Sequence, residues 1–104
     1  MDPYMTAGSW AEGGENMALL ARDVANNPRR YDGKLVSVIG RVTNIWSSEI
    51  ELEAGLDCHM SHYEDCHSVE RGQKIVVAGK VRVNSDGEAK MDNCSVVKKF
   101  PFRG

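Results

Sequence analysis

Side-chain character alternates with a period of two through most of residues 34–97, and that pattern leaves few folds open. Successive residues of an extended strand point to opposite faces, so alternation marks strands with one face turned to a core. Val36, Val38, Gly40 and Val42 share one face, with Ser37, Ile39, Arg41 and Thr43 on the other. Glu49, Glu51 and Glu53 alternate with Ile50 and Leu52, and Leu56, Cys58 and Met60 alternate with Asp57 and His59. Ile75, Val77, Gly79, Val81 and Val83 alternate with Lys74, Val76, Ala78, Lys80 and Arg82. Asn84-Ser85-Asp86-Gly87 is a hairpin turn signal, and a last strand over Glu88–Val97 carries Met91, Cys94 and Val96 as its apolar positions. The pattern therefore predicts five strands.

The first and fourth strands resemble each other, Val38-Ile39-Gly40-Arg41-Val42 beside Val77-Ala78-Gly79-Lys80-Val81. A long strand in a small barrel must bend, and glycine relieves crowding there; the alternative is coincidence between two β-rich strings. Ahead of the strands, Met17, Leu20, Ala21 and Val24 recur at helical spacing. They predict a helix over Asn16–Asn26, capped by Asn16 and ended before Pro28. Ser61–Gly72 is long for a hairpin loop and suits a short helix. An all-β, five-stranded barrel with an N-terminal helix and a short helix between strands three and four is the OB arrangement. Residues 1–15, rich in glycine and small polar residues, read as a flexible arm, with Trp10 an exposed aromatic unless it docks. Residues 16–97 read as the OB domain with its leading helix, and residues 98–104 as a short basic tail with Lys98, Lys99 and Arg103. The length of 104 residues fits one domain, and 41% hydrophobic residues fit a folded one.

Tyr31-Asp32-Gly33-Lys34, then Val36-x-Val38-x-Gly40-x-Val42-x-x-Ile45, Cys58, Gly72-x-x-Ile75-x-Val77-x-Gly79 and Met91-x-Asn93-Cys94 together resemble the tRNA-anticodon-binding-like OB family over residues 17–97. The resemblance implies a small OB domain related to domains that bind anticodons. It implies no catalytic residue.

The densest polar cluster is Asp57–His67, which holds all three histidines and two of the three cysteines. His62 and Cys66 fall one turn apart on a helix, and with Cys58 and Cys94 they make four residues of zinc-ligand type. The C-x-x-C knuckle is missing, so no metal is assigned. The preferred reading makes Cys58 and Cys94 small core residues on adjacent strands; a zinc site, and a disulfide between them after export, are the alternatives. A cysteine nucleophile needs an oriented base and an oxyanion site, and only the residue types are present. No phosphate-cradling glycine loop or cofactor motif appears, so the chain reads as a non-enzymatic binding protein.

Its formal net charge of -2 provides no global basic field for nucleic acid or an anionic membrane. No segment is long and apolar enough to span a bilayer, and Arg22 and Asp23 interrupt the only leader-like stretch, so the chain reads as cytoplasmic, or as exported if a leader preceded it. OB domains bind through the outer face of strands two and three and the flanking loops, with bases stacked on aromatics and phosphates held by cations. Trp46, in the loop between strands one and two, is the candidate stacking residue, unless it is a lid on the barrel end. Arg41, Lys80, Arg82 and Lys90 are the candidate cations. Against them stands an outward acidic strip of Glu49, Glu51, Glu53 and Asp57, which repels phosphate and suits a basic protein. Single-stranded nucleic acid is the first expectation and a protein-interaction module the second.

Overall fold

The longest β-branched runs become two of the long strands of the barrel. In the computed structural model, which describes residues 18–101, β2 (Leu35–Ile45) lies antiparallel to β5 (Lys74–Val83). Their ladder runs from Leu35↔Lys80 to Arg41↔Lys74. A register shift between Val42 and Asn44 then turns β2 onto β3 (Glu49–Leu52). β3 pairs antiparallel with β4 (Leu56–Met60), β4 parallel with β6 (Ala89–Lys99), and β6 antiparallel with β5. The order β2-β3-β4-β6-β5 returns to β2, so the five strands close into an OB-type barrel. Closure gives each of the five a partner strand on both sides.

The alternation places the core as expected. Val38, Ile50, Leu52, Leu56, Cys58, Ile75, Val77, Val81 and Met91 are fully buried inside the barrel. Asn84 builds the hairpin turn: its Oδ1 accepts from the backbone N–H of Asp86 and of Glu88, both at 2.9 Å, and Gly87 takes the left-handed φ of 81° that closes it.

The paired glycines answer to close approach. A Cβ on Gly40 would lie 2.8 Å from the Cβ of Ala21, and one on Gly79 would lie 2.5 Å from Cys94 Sγ. Gly40 admits the N-terminal helix and Gly79 admits a core thiol.

That helix is shorter than the spacing suggests. Leu19–Leu20 form a short strand, β1, parallel to Val38–Ile39 of β2, and helix α1 covers only Ala21–Asn26. Pairing to β2 holds Leu19 and Leu20 extended, so Leu20 is exposed rather than part of a helical stripe. Ala21 and Val24 are buried, and α1 packs against β2, β4 and β6. Asn27 Nδ2 donates to Asp23 O where α1 ends, and Pro28 opens a second short helix, α2 (Pro28–Tyr31), using its preset φ at the first helical position. Asn16, Met17 and the arm over residues 1–15 lie outside the described residues, as does Arg103.

Three further expectations are corrected. Ser37 and Val76, assigned to the outer face, are buried. They belong to the cross-strand pairs Ser37↔Ala78 and Ile39↔Val76, small and apolar pairs that keep this part of the outer face from water. Lys98 and Lys99 belong to β6. Glu53 leaves β3 for a 3-10 turn (Glu53–Gly55), and its Oε1 accepts from the Arg41 backbone N–H at 2.8 Å. The expected helix after strand three is one turn long, α3 (Glu64–His67).

Candidate nucleic-acid interface

Period-two alternation carries a set of charged side chains onto one outer surface. Val81 and Met91 point into the core as a pair, so their neighbours Lys80, Arg82, Lys90 and Asp92 point out. One cross-strand row runs Arg82↔Lys90↔Asp57↔Glu51 over β5, β6, β4 and β3. Beside it lie the pairs Lys80↔Asp92 and His59↔Glu49, between which the β4–β6 register shifts. Trp46 follows β2 and is 46% exposed; its backbone N–H donates to Glu49 O at 2.9 Å, which fixes the loop beside β3. The lid reading of Trp46 requires burial, and the indole is half in solvent.

The structure therefore turns Lys80, Arg82 and Lys90 outward together on β5 and β6, and leaves Trp46 exposed in the loop between β2 and β3. Arg41 lies elsewhere: it pairs with Lys74 in the β2–β5 ladder, and its Nη1 donates to Gly72 O at 2.9 Å. Sequence reasoning did not nominate His59 or Asp92, which share the face. The alternation already turns His59 outward with Asp57, and it does the same for Asp92 beside the inward Met91.

Charge on this face is largely paired internally. Lys90 Nζ lies 2.8 Å from Asp57 Oδ2. Arg82 Nε and Nη2 reach the two oxygens of Asp92 at 2.7 and 3.3 Å, a forked pair. His59 Nε2 is 3.5 Å from Glu49 Oε1, and Glu51 accepts from the Thr43 hydroxyl at 2.9 Å. The Arg82 hydrogen bond holds the Asp92 carboxyl below its ordinary pKa, and the Asp57 hydrogen bond raises that of Lys90. The Lys80 ammonium faces Asp92 across the ladder and helps to lower its pKa, without the close contact that Arg82 makes to the same carboxylate.

The Cys/His cluster does not assemble a metal centre. The described residues contain no group of three His, Cys, Asp or Glu side chains placed to hold an ion. Cys58, Cys66 and Cys94 are buried free thiols. The hydrogen bond to Cys94 and complete burial push the Cys58 thiol well up, and burial pushes up Cys66. Both shifts oppose the thiolate that a nucleophile or metal ligand must become. His62 and His67 are exposed, and His67 stacks edge-on against Tyr63. No helix among the described residues is long and apolar enough to cross a membrane.

No family model matches the chain, and no curated protein matches it in sequence. Its fold does have a counterpart among solved structures. The asparaginyl-tRNA synthetase from Pyrococcus horikoshii superimposes with a TM-score of 0.56 over 80% of this chain, at 20% identity. The match covers 23% of the synthetase, so this chain spans less than a quarter of it. At that identity the likeness is one of fold: an OB-type barrel.

Proposed function

We propose that this protein is a non-catalytic OB-fold module that binds single-stranded nucleic acid across the outer faces of β3, β4 and β6. The observation that carries the reading is Trp46, half exposed in the loop that leads into β3, on a barrel whose outer surface presents Lys90, Arg82 and Lys80 on the strands beyond. A base stacks on an aromatic that is open to solvent, and cations farther around the barrel neutralise phosphates of the same strand. The resemblance to anticodon-binding OB domains and the fold shared with a tRNA synthetase support the same reading. Binding is weak on this account, because phosphates compete with Asp57 for Lys90 and with Asp92 for Arg82. Fluorescence anisotropy with labelled single-stranded DNA and RNA tests it. Trp46→Ala should weaken binding by about 1–3 kcal/mol, and Lys80→Ala should lower the slope of affinity against salt.

The ion pairs favour a second reading, a protein-interaction module. Glu49, Glu51, Asp57 and Asp92 outnumber the cations on this face, a surplus suited to a basic partner. Glu49→Gln with Glu51→Gln distinguishes the two. The double substitution tightens oligonucleotide binding by removing repulsion, and slows association of a basic protein at low salt.

A further inference from the structure

A second surface, away from Trp46, combines an apolar recess with several basic side chains. The recess, about 170 Å³, opens where β1 and the start of α1 meet the middle of β2 and the start of β5. Leu20, Ala21 and Ile39 supply its apolar walls, and Arg22, Lys74 and Glu53 supply its charged ones. Leu20 is 42% exposed, so the described residues leave a large aliphatic side chain here uncovered. Arg41 sits beside Lys74 in the ladder. The Lys74 and Lys98 ammonium groups lie 4.8 and 5.0 Å from the Phe100 ring centroid, which adds Lys98 to the same neighbourhood. The carboxylate of the set, Glu53, accepts from the Arg41 backbone N–H.

We propose that this surface docks an acidic peptide segment, with one aliphatic side chain seated between Leu20 and Ile39 and flanking carboxylates against Arg22, Lys74 and Arg41. Charge complementarity selects the partner's sign: two cations, Arg22 and Lys74, and one carboxylate line the recess, and Arg41 lies beside Lys74 in the ladder. The aliphatic walls select its anchor, since a methyl-rich side chain fills such a recess while a nucleobase needs an open aromatic plane. Phe100, the aromatic at hand, already has two ammonium groups at its ring. The proposal does not depend on the Trp46 face.

The test uses the full chain and a fluorescein-labelled octapeptide of glutamates with one central leucine, followed by anisotropy at low salt. Saturable binding is expected. It should fall by about tenfold in Arg22→Glu and in Lys74→Glu, through lost attraction and added repulsion. Replacing the peptide's leucine by serine, or Leu20→Ser in the protein, should cost about fivefold or more by removing apolar contact. Trp46→Ala should leave the affinity unchanged. Arg22, Lys74 and Leu20 are exposed, and circular dichroism verifies that each variant is folded. The proposal is overturned by a titration that never saturates, by binding indifferent to both charge reversals or to the leucine, or by sensitivity to Trp46→Ala. It is equally overturned if the charge reversals abolish binding of an oligothymidylate and spare that of the peptide.

Discussion

Gly79→Ala isolates the demand the barrel core makes on its backbone. The added methyl carbon would lie 2.5 Å from Cys94 Sγ, 2.9 Å from Asp92 O and 3.3 Å from Cys94 Cα. Two of those neighbours are backbone atoms of β6, which side-chain rotation cannot move. Cys94 itself is fully buried. Relief requires β5 and β6 to part, against the most extensive strand pairing in the barrel. Overpacking of this kind costs about 2–3 kcal/mol, a large share of the roughly 5–15 kcal/mol that holds a domain together. Urea unfolding followed by circular dichroism measures it as a fall in the midpoint at constant slope. The double variant Gly79→Ala with Cys94→Ala removes the thiol and leaves the Asp92 carbonyl, so the two losses should be less than additive by about 1 kcal/mol. A neutral Gly79→Ala, or strict additivity in the double variant, would refute the close-approach account and return the glycine to a mere bend.

Val38→Ala and Val77→Ala should each cost about 1–3 kcal/mol in the same assay by opening small core cavities. Ser37→Ala should be neutral or stabilising by up to about 1 kcal/mol, because Ser37 Oγ is buried without a hydrogen-bond partner; a loss as large as that of Val38→Ala would contradict this. The folded Asp92 carboxyl sits below its ordinary value of 3.8 because of Arg82. Its stabilisation is therefore present above the unfolded pKa and lost as pH falls through the folded one, and the pair is partly exposed, so a double-mutant cycle at neutral pH should read about 0.2–1 kcal/mol. Lys90 is raised by Asp57, so its contribution is present below the ordinary lysine pKa and fades at alkaline pH, measurable as a drop in melting temperature absent from Lys90→Met. All three thiols are buried, and Ellman's reagent should react slowly with the native protein and fully in denaturant; rapid titration of all three in the native state would contradict the core assignment.

Local pattern was enough to reveal the five strands, the Asn84–Gly87 hairpin and the inward set of Val38, Ile50, Leu52, Cys58, Val77 and Met91. Side-chain orientation in a strand is a property of the local backbone, so alternation reports it directly. Local pattern also placed Trp46 in the loop after β2 and turned Lys80, Arg82 and Lys90 outward. What depended on contacts between distant segments was not legible. Pairing with Val38 and Ile39 drew Leu19 and Leu20 out of the helix that their spacing suggests. The cross-strand partners Ala78 and Ile39 decided that outward-pointing Ser37 and Val76 would be buried. Partners 33 and 10 residues away decided that Lys90 and Arg82 would spend their charge on Asp57 and Asp92. The recess beside Leu20 forms where β1, paired parallel with Val38 and Ile39, brings Leu20 and Arg22 near Lys74. Sequence determined which way each side chain points, because that is set within two residues along the chain. The tertiary structure decided what each one meets, because barrel closure joins residues whose separation along the chain carries no record of the contact.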